Sequence, residues 1–204
     1  MRSSLPKQFM LVNEKPLLMY TIERFYHYDP KMQLVLSLPE EWMHYWEDQI
    51  AQHDFVIPHR VVTGGKERYD SIKNALNHCT GDIVAVHDGV RPLVSSETLQ
   101  LCLKGAISYD AVIPVMPINE SVRKREGDST VSVNRSDYMI VQTPQCFKKE
   151  VIIKAYEQVY HEGITDDATL VEEAGYTLHI VDGNPENIKI TTQSDLKLAE
   201  AFLK

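Results

Sequence analysis

The tightest constraint on this chain is the stretch Ile83-Val84-Ala85-Val86-His87-Asp88-Gly89-Val90-Arg91-Pro92. Four apolar, largely β-branched residues read as a buried strand, and the polar group that follows arrives where such a strand would end. In open α/β sheets ligands gather at the carboxyl edge of the strands, so Asp88 and Arg91 would project a carboxylate and a guanidinium into one crevice. Asp88 suits Mg²⁺, which takes oxygen ligands and keeps several waters, and the planar fork of Arg91 matches phosphate. Together they point to a nucleotide or sugar-phosphate site. The same residues also fit a strand-terminal turn in which Gly89 and Pro92 set the backbone and Asp88 pairs with Arg91 at the surface.

On either side of this stretch, strand-like and helix-like patterns alternate. Pro16 opens a helix carrying Leu17, Leu18, Thr21, Ile22 and Phe25 to about Tyr28, and Met32–Leu38 reads as a short strand. Pro39-Glu40-Glu41 starts a second helix with Trp42, Tyr45, Trp46 and Ile50 as its apolar stripe, a packing face rather than a base-stacking platform. Arg60–Thr63 is a strand, followed by Gly64-Gly65 at the junction with the next helix, where free amide groups can meet an anion. A bare Gly-Gly is also an ordinary turn. Ser96–Ile107 is helical and Ala111–Val115 extended. Tyr138–Thr143 resumes the sheet and ends at a proline, and Lys148–His161 and Thr165–Ala174 read as helices. Leu178–Val181 and Asn187–Thr191 read as strands, and Thr192-x-x-Asp195 is a capping box, which makes Asp195 a cap rather than a metal ligand. The fold class is therefore α/β, a doubly wound, mostly parallel, Rossmann-like sheet in a single domain over 1–204.

Two segments break the rhythm. From about 117 to 137 apolar and polar residues alternate around Gly127-Asp128, the pattern of a β-hairpin. Its strands hold too few apolar residues to bury a face alone, so the arm is expected to pack on a second subunit. The alternative is a solvated flap. The opening residues carry loop chemistry and a lone Lys7 with no strand before them, whereas such sheets begin with an apolar strand. A strand upstream of Met1 is expected.

Composition narrows the partners. At 204 residues with 43% hydrophobic and 25% charged content, the chain can build one core. A net charge of −8 disfavours nucleic acid or an anionic membrane as the main partner, since either favours a basic face. No membrane span or signal peptide is legible, and the cytoplasm is expected. Cys79, Cys102 and Cys146 have no metal-ligand or disulfide-framework spacing and read as reduced packing residues.

Six motifs taken in order resemble a known family: Pro6-Lys7-Gln8-Phe9; Gly65-Lys66-Glu67-Arg68 with Ser71; His87-Asp88-Gly89-Val90-Arg91-Pro92; Gln142-Thr143-Pro144-Gln145-x-Phe147; Thr165-Asp166-Asp167-Ala168; and Asn187-Ile188-Lys189-Ile190-Thr191. Over essentially the whole chain the sequence resembles the 2-C-methyl-D-erythritol 4-phosphate cytidylyltransferases of the non-mevalonate isoprenoid pathway, which are nucleotidyltransferases. The resemblance implies transfer of CMP from CTP to a polyol phosphate, with release of pyrophosphate and with Mg²⁺ as cofactor. It implies catalytic roles for Lys7 and Lys189, with Lys7 against the triphosphate. It assigns Gly65, Lys66 and Ser71 to the cytidine and Asp88 to the metal. It gives Arg91, Thr143 and Lys189 to the acceptor phosphate, and it makes the chain a homodimer whose arm brings Ser121 and Arg135 to the partner's pocket. Two departures stand out. The family's first strand and Gly-rich phosphate loop, which ends in an Arg, would lie upstream of Met1, and Glu120-Ser121 replaces the usual Asp-Thr of the arm. The departure in the arm keeps ribitol-5-phosphate cytidylyltransferase open as an alternative. The missing loop keeps open a non-catalytic nucleotide-binding relic.

Overall fold

The computed structural model describes residues 5–203. In chain order a 3-10 turn at Lys7–Phe9 leads to β1 (Leu11–Val12), β2 (Lys15–Pro16), α1 (Leu17–Tyr28) and β3 (Val35–Leu38). A 3-10 turn at Glu40–Trp42 runs into α2 (Met43–Gln52), then come β4 (Arg60–Thr63), α3 (Arg68–Leu76), β5 (Ile83–Val86), α4 (Ser96–Ser108) and β6 (Ala111–Pro117). The arm is β7 (Arg123–Glu126) and β8 (Ser129–Ser132), and the chain returns through β9 (Met139–Val141), β10 (Gln145–Lys148), α5 (Lys149–Ala155), α6 (Asp167–Glu173), β11 (Leu178–Asp182) and α7 (Gln193–Phe202).

The main sheet has the order β11-β6-β10-β5, with β9 also on β6. β11 is parallel to β6, while β10 is antiparallel to both β6 and β5, so β5, β6 and β11 share one direction. β9 and β10 run along the same edge of β6, interrupted at Gln142-Thr143-Pro144, where the Thr143–Pro144 peptide is cis. The sequence pattern ends this strand at the proline. The chain instead continues past it and inserts β10 between β6 and β5, so Lys148 closes a strand and the helix begins at Lys149.

Helices cover both faces, as burial of an all-apolar strand demands. Phe147, Val84 and Ala111 pack on Ile152, Leu170 and Val171 of α5 and α6. Cys102 and Ala106 of α4 pack on Val112 and Cys146. Burying side chains such as Phe147 and Ile152 stabilises the fold by roughly 1.5–3 kcal/mol each. A second core lies around Trp46, with Phe9, Leu18, Met19 and Leu38. All three cysteines are free. Among the described residues no helix is long and apolar enough to cross a membrane.

Two further expectations are corrected. Residues 187–191 form no strand, because their backbone is spent on the loop after β5: Arg91 donates to the Asn187 carbonyl at 2.7 Å and the Ile190 N–H donates to Val90 at 3.0 Å. The helix expected to reach His161 stops at Ala155, and the chain beyond it turns so that the carbonyls of Tyr156 and Gln158 lie 3.0 and 2.6 Å from the single Tyr69 hydroxyl donor. The capping box at Thr192 and Asp195 forms as read.

β3 and β4 form a separate parallel pair. Between β3 and β5 lies a cavity of about 750 Å³. It is lined by the apolar side chains of Leu36, Ile83, Ala85, Ile22, Ile72 and Leu76 and by the polar ones of Asp88, Lys189, Arg68, Ser71 and Gln8.

Candidate active site

The loop after β5 is held by a relay of hydrogen bonds. The Asp88 N–H donates to the Thr143 hydroxyl at 3.2 Å, which in turn lies 2.9 Å from Nδ1 of His87, whose Nε2 meets the Arg91 carbonyl at 3.0 Å. For every member to be satisfied, His87 must be neutral with its proton on Nε2. Burial pushes its pKa down to about 4, which keeps it neutral. Thr21 donates to the Gly89 carbonyl at 3.0 Å and Arg24 to that of Pro92 at 2.9 Å, so α1 anchors the same loop. At the cis proline, Asn187 donates to the Thr143 carbonyl at 2.8 Å, tying the segment that carries Lys189 to the strand end.

This scaffold gathers charge on Asp88, whose side chain is 12% exposed. Oδ2 receives Arg91 Nε at 3.0 Å and lies 3.2 Å from Lys189 Nζ, and Oδ1 faces Arg68 Nε at 4.0 Å. Burial pushes the Asp88 pKa up, but Lys189, Arg91 and Arg68 outweigh it and hold the carboxyl below its ordinary value. The surface ion pair allowed by the sequence is therefore replaced by a half-buried cluster in which three cations face Asp88, one of them, Arg68, also paired with Asp167. That local excess of positive charge can receive anions although the chain as a whole carries −8.

The nucleotide loop is built from sequence necessity. A Cβ on Gly65 would fall 2.1 Å from the Asp70 Cβ, so no larger residue fits there. The Gly65 N–H donates to the Ser71 hydroxyl at 3.0 Å and that hydroxyl donates to the Glu67 carbonyl at 3.1 Å. Glu67 and Asp70 close a capping box that starts α3. Ser71 thus shapes the loop with the hydroxyl that the family resemblance assigns to cytidine. Lys66 is exposed beside it.

The remaining expected residues stand apart. Lys7 is exposed on its 3-10 turn and has no ion-pair partner among the described residues, while its neighbour Gln8 lines the cavity. Ser121 and Arg135 are exposed on the arm, where Arg135 donates to the Asn119 carbonyl. So Asp88, Arg91, Thr143 and Lys189 come together as expected, and Ser121 and Arg135 do not join them within this subunit. Sequence alone assigns no role to His87, Arg68 or Asn187, all of which lie inside the motifs singled out above.

Among the described residues no group of three or more His, Cys, Asp or Glu side chains could hold a metal alone. The donor set still fits Mg²⁺, which is commonly held by one or two carboxylates plus substrate phosphates and water. Asp88 would supply that carboxylate.

A family model for IspD, 2-C-methyl-D-erythritol 4-phosphate cytidylyltransferase, matches residues 1–204. The chain is 45% identical over 204 residues to a 2-C-methyl-D-erythritol 4-phosphate cytidylyltransferase of Bacteroides fragilis, covering 100% of this chain and 93% of that protein. It is 45% identical over 201 residues to one from Porphyromonas gingivalis, covering 97% and 89%. Among solved structures, the crystal structure of a 2-C-methyl-D-erythritol 4-phosphate cytidylyltransferase from Thermus thermophilus matches with a TM-score of 0.82 at 29% identity, covering 97% and 94%. A 4-diphosphocytidyl-2C-methyl-D-erythritol synthase from Anaerococcus prevotii matches with a TM-score of 0.85 at 26% identity, covering 98% and 91%.

Proposed function

This chain belongs to the IspD family of 2-C-methyl-D-erythritol 4-phosphate cytidylyltransferases, and from that premise we propose how its residues carry the reaction. The enzyme is a nucleotidyltransferase that transfers CMP from CTP to 2-C-methyl-D-erythritol 4-phosphate in isoprenoid precursor biosynthesis. A phosphate oxygen of the acceptor forms a bond to the α-phosphorus of CTP, and the bond to the departing pyrophosphate breaks with its electron pair. The acceptor phosphate is already anionic near neutral pH, so no general base is needed. The difficulty is the meeting of two anions.

Arg91 and Lys189 would receive the acceptor phosphate, leaving Asp88 as it approaches, with Thr143 fixing the loop beneath them. Lys7 would stabilise charge on the α-phosphate and the leaving group. Gly65, Lys66 and Ser71 would shape and line the cytidine end of the cavity. Nucleotidyltransferases are generally divalent-metal-dependent, and here we propose Mg²⁺ held by Asp88 together with substrate phosphates. Such an ion would neutralise phosphate charge and polarise the α-phosphate. The apolar part of the cavity lining is unsuited to a triphosphate, and its β3 and β5 edges suit one further extended strand.

We further propose a homodimer, working in the cytoplasm, with the arm over the partner's site so that Ser121 and Arg135 reach the acceptor there. The support is exposure: β7 and β8 are exposed throughout, and Tyr138, Met139 and Ile140 of the returning chain are each about half-exposed. The observation that carries the catalytic reading is the convergence of Arg68, Arg91 and Lys189 on Asp88 at the carboxyl end of β5. Pyrophosphate release tests it, with CTP crossed against methylerythritol phosphate and ribitol 5-phosphate. Release dependent on methylerythritol phosphate is expected, and preference for ribitol 5-phosphate would contradict the acceptor.

A further inference from the structure

A join between Arg68 and Asp167 takes no part in the roles assigned so far. Asp167, at the start of α6, has a fully buried side chain, and its Oδ2 lies 2.6 Å from Arg68 Nη2. Its Oδ1 accepts from the Tyr156 hydroxyl, and Tyr156 stacks on Tyr69 at 4.9 Å. The helix start is fixed too: Asp166 caps Thr169 at 2.9 Å, and Gln145 of β10 bridges Asp166 at 2.8 Å and the Ala168 N–H at 2.9 Å. Asp167 therefore cannot move, and a buried carboxylate that lost its cation would be strongly destabilising.

Arg68 in turn has a fixed address. Its Nη2 is held by Asp167, and its Nε lies 4.0 Å from Asp88 Oδ1, a charge–charge approach without a hydrogen bond. Arg68 is also the first residue of α3, directly after the nucleotide loop. A planar fork can serve two carboxylates at a set angle, and a lysine ammonium, a point charge on a flexible stem, cannot.

We propose that Arg68 is a positioning residue: anchored by Asp167 and Tyr156, it fixes a positive charge beside the Asp88 carboxylate and ties the Gly64-Gly65 loop to the same point. The inference rests on the cytidylyltransferase reading and extends the aligning machinery to α6, which touches no substrate.

The test is a cycle of R68Q, D167N and R68Q/D167N with R68K beside it, reading melting midpoint, steady-state pyrophosphate release and CTP affinity by calorimetry. R68Q leaves Asp167 buried and unpaired, so its midpoint falls, and the double variant, which removes both charges, regains it. Turnover of the double variant is expected to stay down on the order of 10²-fold, the scale of loss when a reacting group is misplaced by about an ångström. R68K keeps the charge without the fork and is expected to stay several-fold low in turnover and CTP affinity. Recovery of turnover and CTP affinity with the melting midpoint in the double variant would overturn the inference, leaving Arg68 a purely structural partner of Asp167. If the double variant does not regain its midpoint, wild-type turnover and affinity in R68K overturn it equally. Absence of pyrophosphate release from the unmodified chain would instead defeat the cytidylyltransferase reading, and calorimetry would still decide the role of Arg68 in binding CTP.

Discussion

The loop after β5 and the arm carry similar residue types under opposite conditions. At the loop, Asp88 is 12% exposed with three cations within 4.0 Å, and the backbone beneath it is fixed by His87 and Thr143. On the arm, Arg123, Lys124 and Arg125 lie in strands exposed throughout, and the contacts of Arg123 are to its own hairpin, at Thr130 Oγ1 and the Thr130 carbonyl. Charges in water are screened and contribute little. The same charges walled off from water act strongly on whatever enters. The β5 loop is thus complete within one subunit, and the arm has the character of a part finished by something outside it.

Substitutions can break this contrast, and the largest effect is expected at the loop. Asp88→Asn leaves Arg91 and Lys189 without their shared acid and removes the proposed metal anchor, and turnover should fall ~10²–10³-fold, the scale of losing a pre-organised electrostatic group. Lys7→Ala should lower turnover ~10²-fold with little change in melting, since the side chain is exposed and unpaired among the described residues. An unchanged rate would remove Lys7 from the mechanism. On the arm, Arg135→Ala should raise the KM for the acceptor roughly tenfold, the worth of one exposed charged contact, and leave the KM for CTP alone. A change in the CTP term instead would place the arm over the nucleotide.

A smaller effect sharpens the account of the loop. His87 has its pKa pushed from 6.5 to about 4 by burial, so the unfolded chain binds the extra proton first. Stability should be intact above pH 6.5 and decline as pH falls from 6.5 toward 4. Urea melts across that window should show this slope, and His87→Gln should flatten it. An identical slope in both proteins would show that His87 does not set it.

The same contrast explains what sequence alone can reveal. Asp88 and Arg91 are legible because they follow a buried strand at its carboxyl end, where local pattern and chemistry agree, whereas Thr143 and Lys189 are reached only through the family resemblance. β10 is not legible, because Gln142-Thr143-Pro144 reads as a terminus, and only pairing with both β5 and β6 makes Gln145–Lys148 a strand. Residues 187–191 mislead for the converse reason: their apolar alternation suits a strand, but Arg91 and Val90 claim the backbone. His87 and Arg68 act through partners distant in sequence, Thr143 and Asp167, which no local spacing reveals. The arm is legible as a hairpin from Gly127-Asp128, and its weak apolar content by itself argues for an outside partner.

Mixing impaired subunits tests the central claim, that the β5 loop acts within its own chain and the arm across to another. Asp88→Asn and Arg135→Ala chains would be unfolded together and refolded, and pyrophosphate release measured with the acceptor well below its KM, where each variant is impaired alone. With the arm serving the partner, each mixed dimer holds one intact site, and random pairing should restore about a quarter of wild-type activity. Activity no higher than the average of the two separate variants would contradict the account.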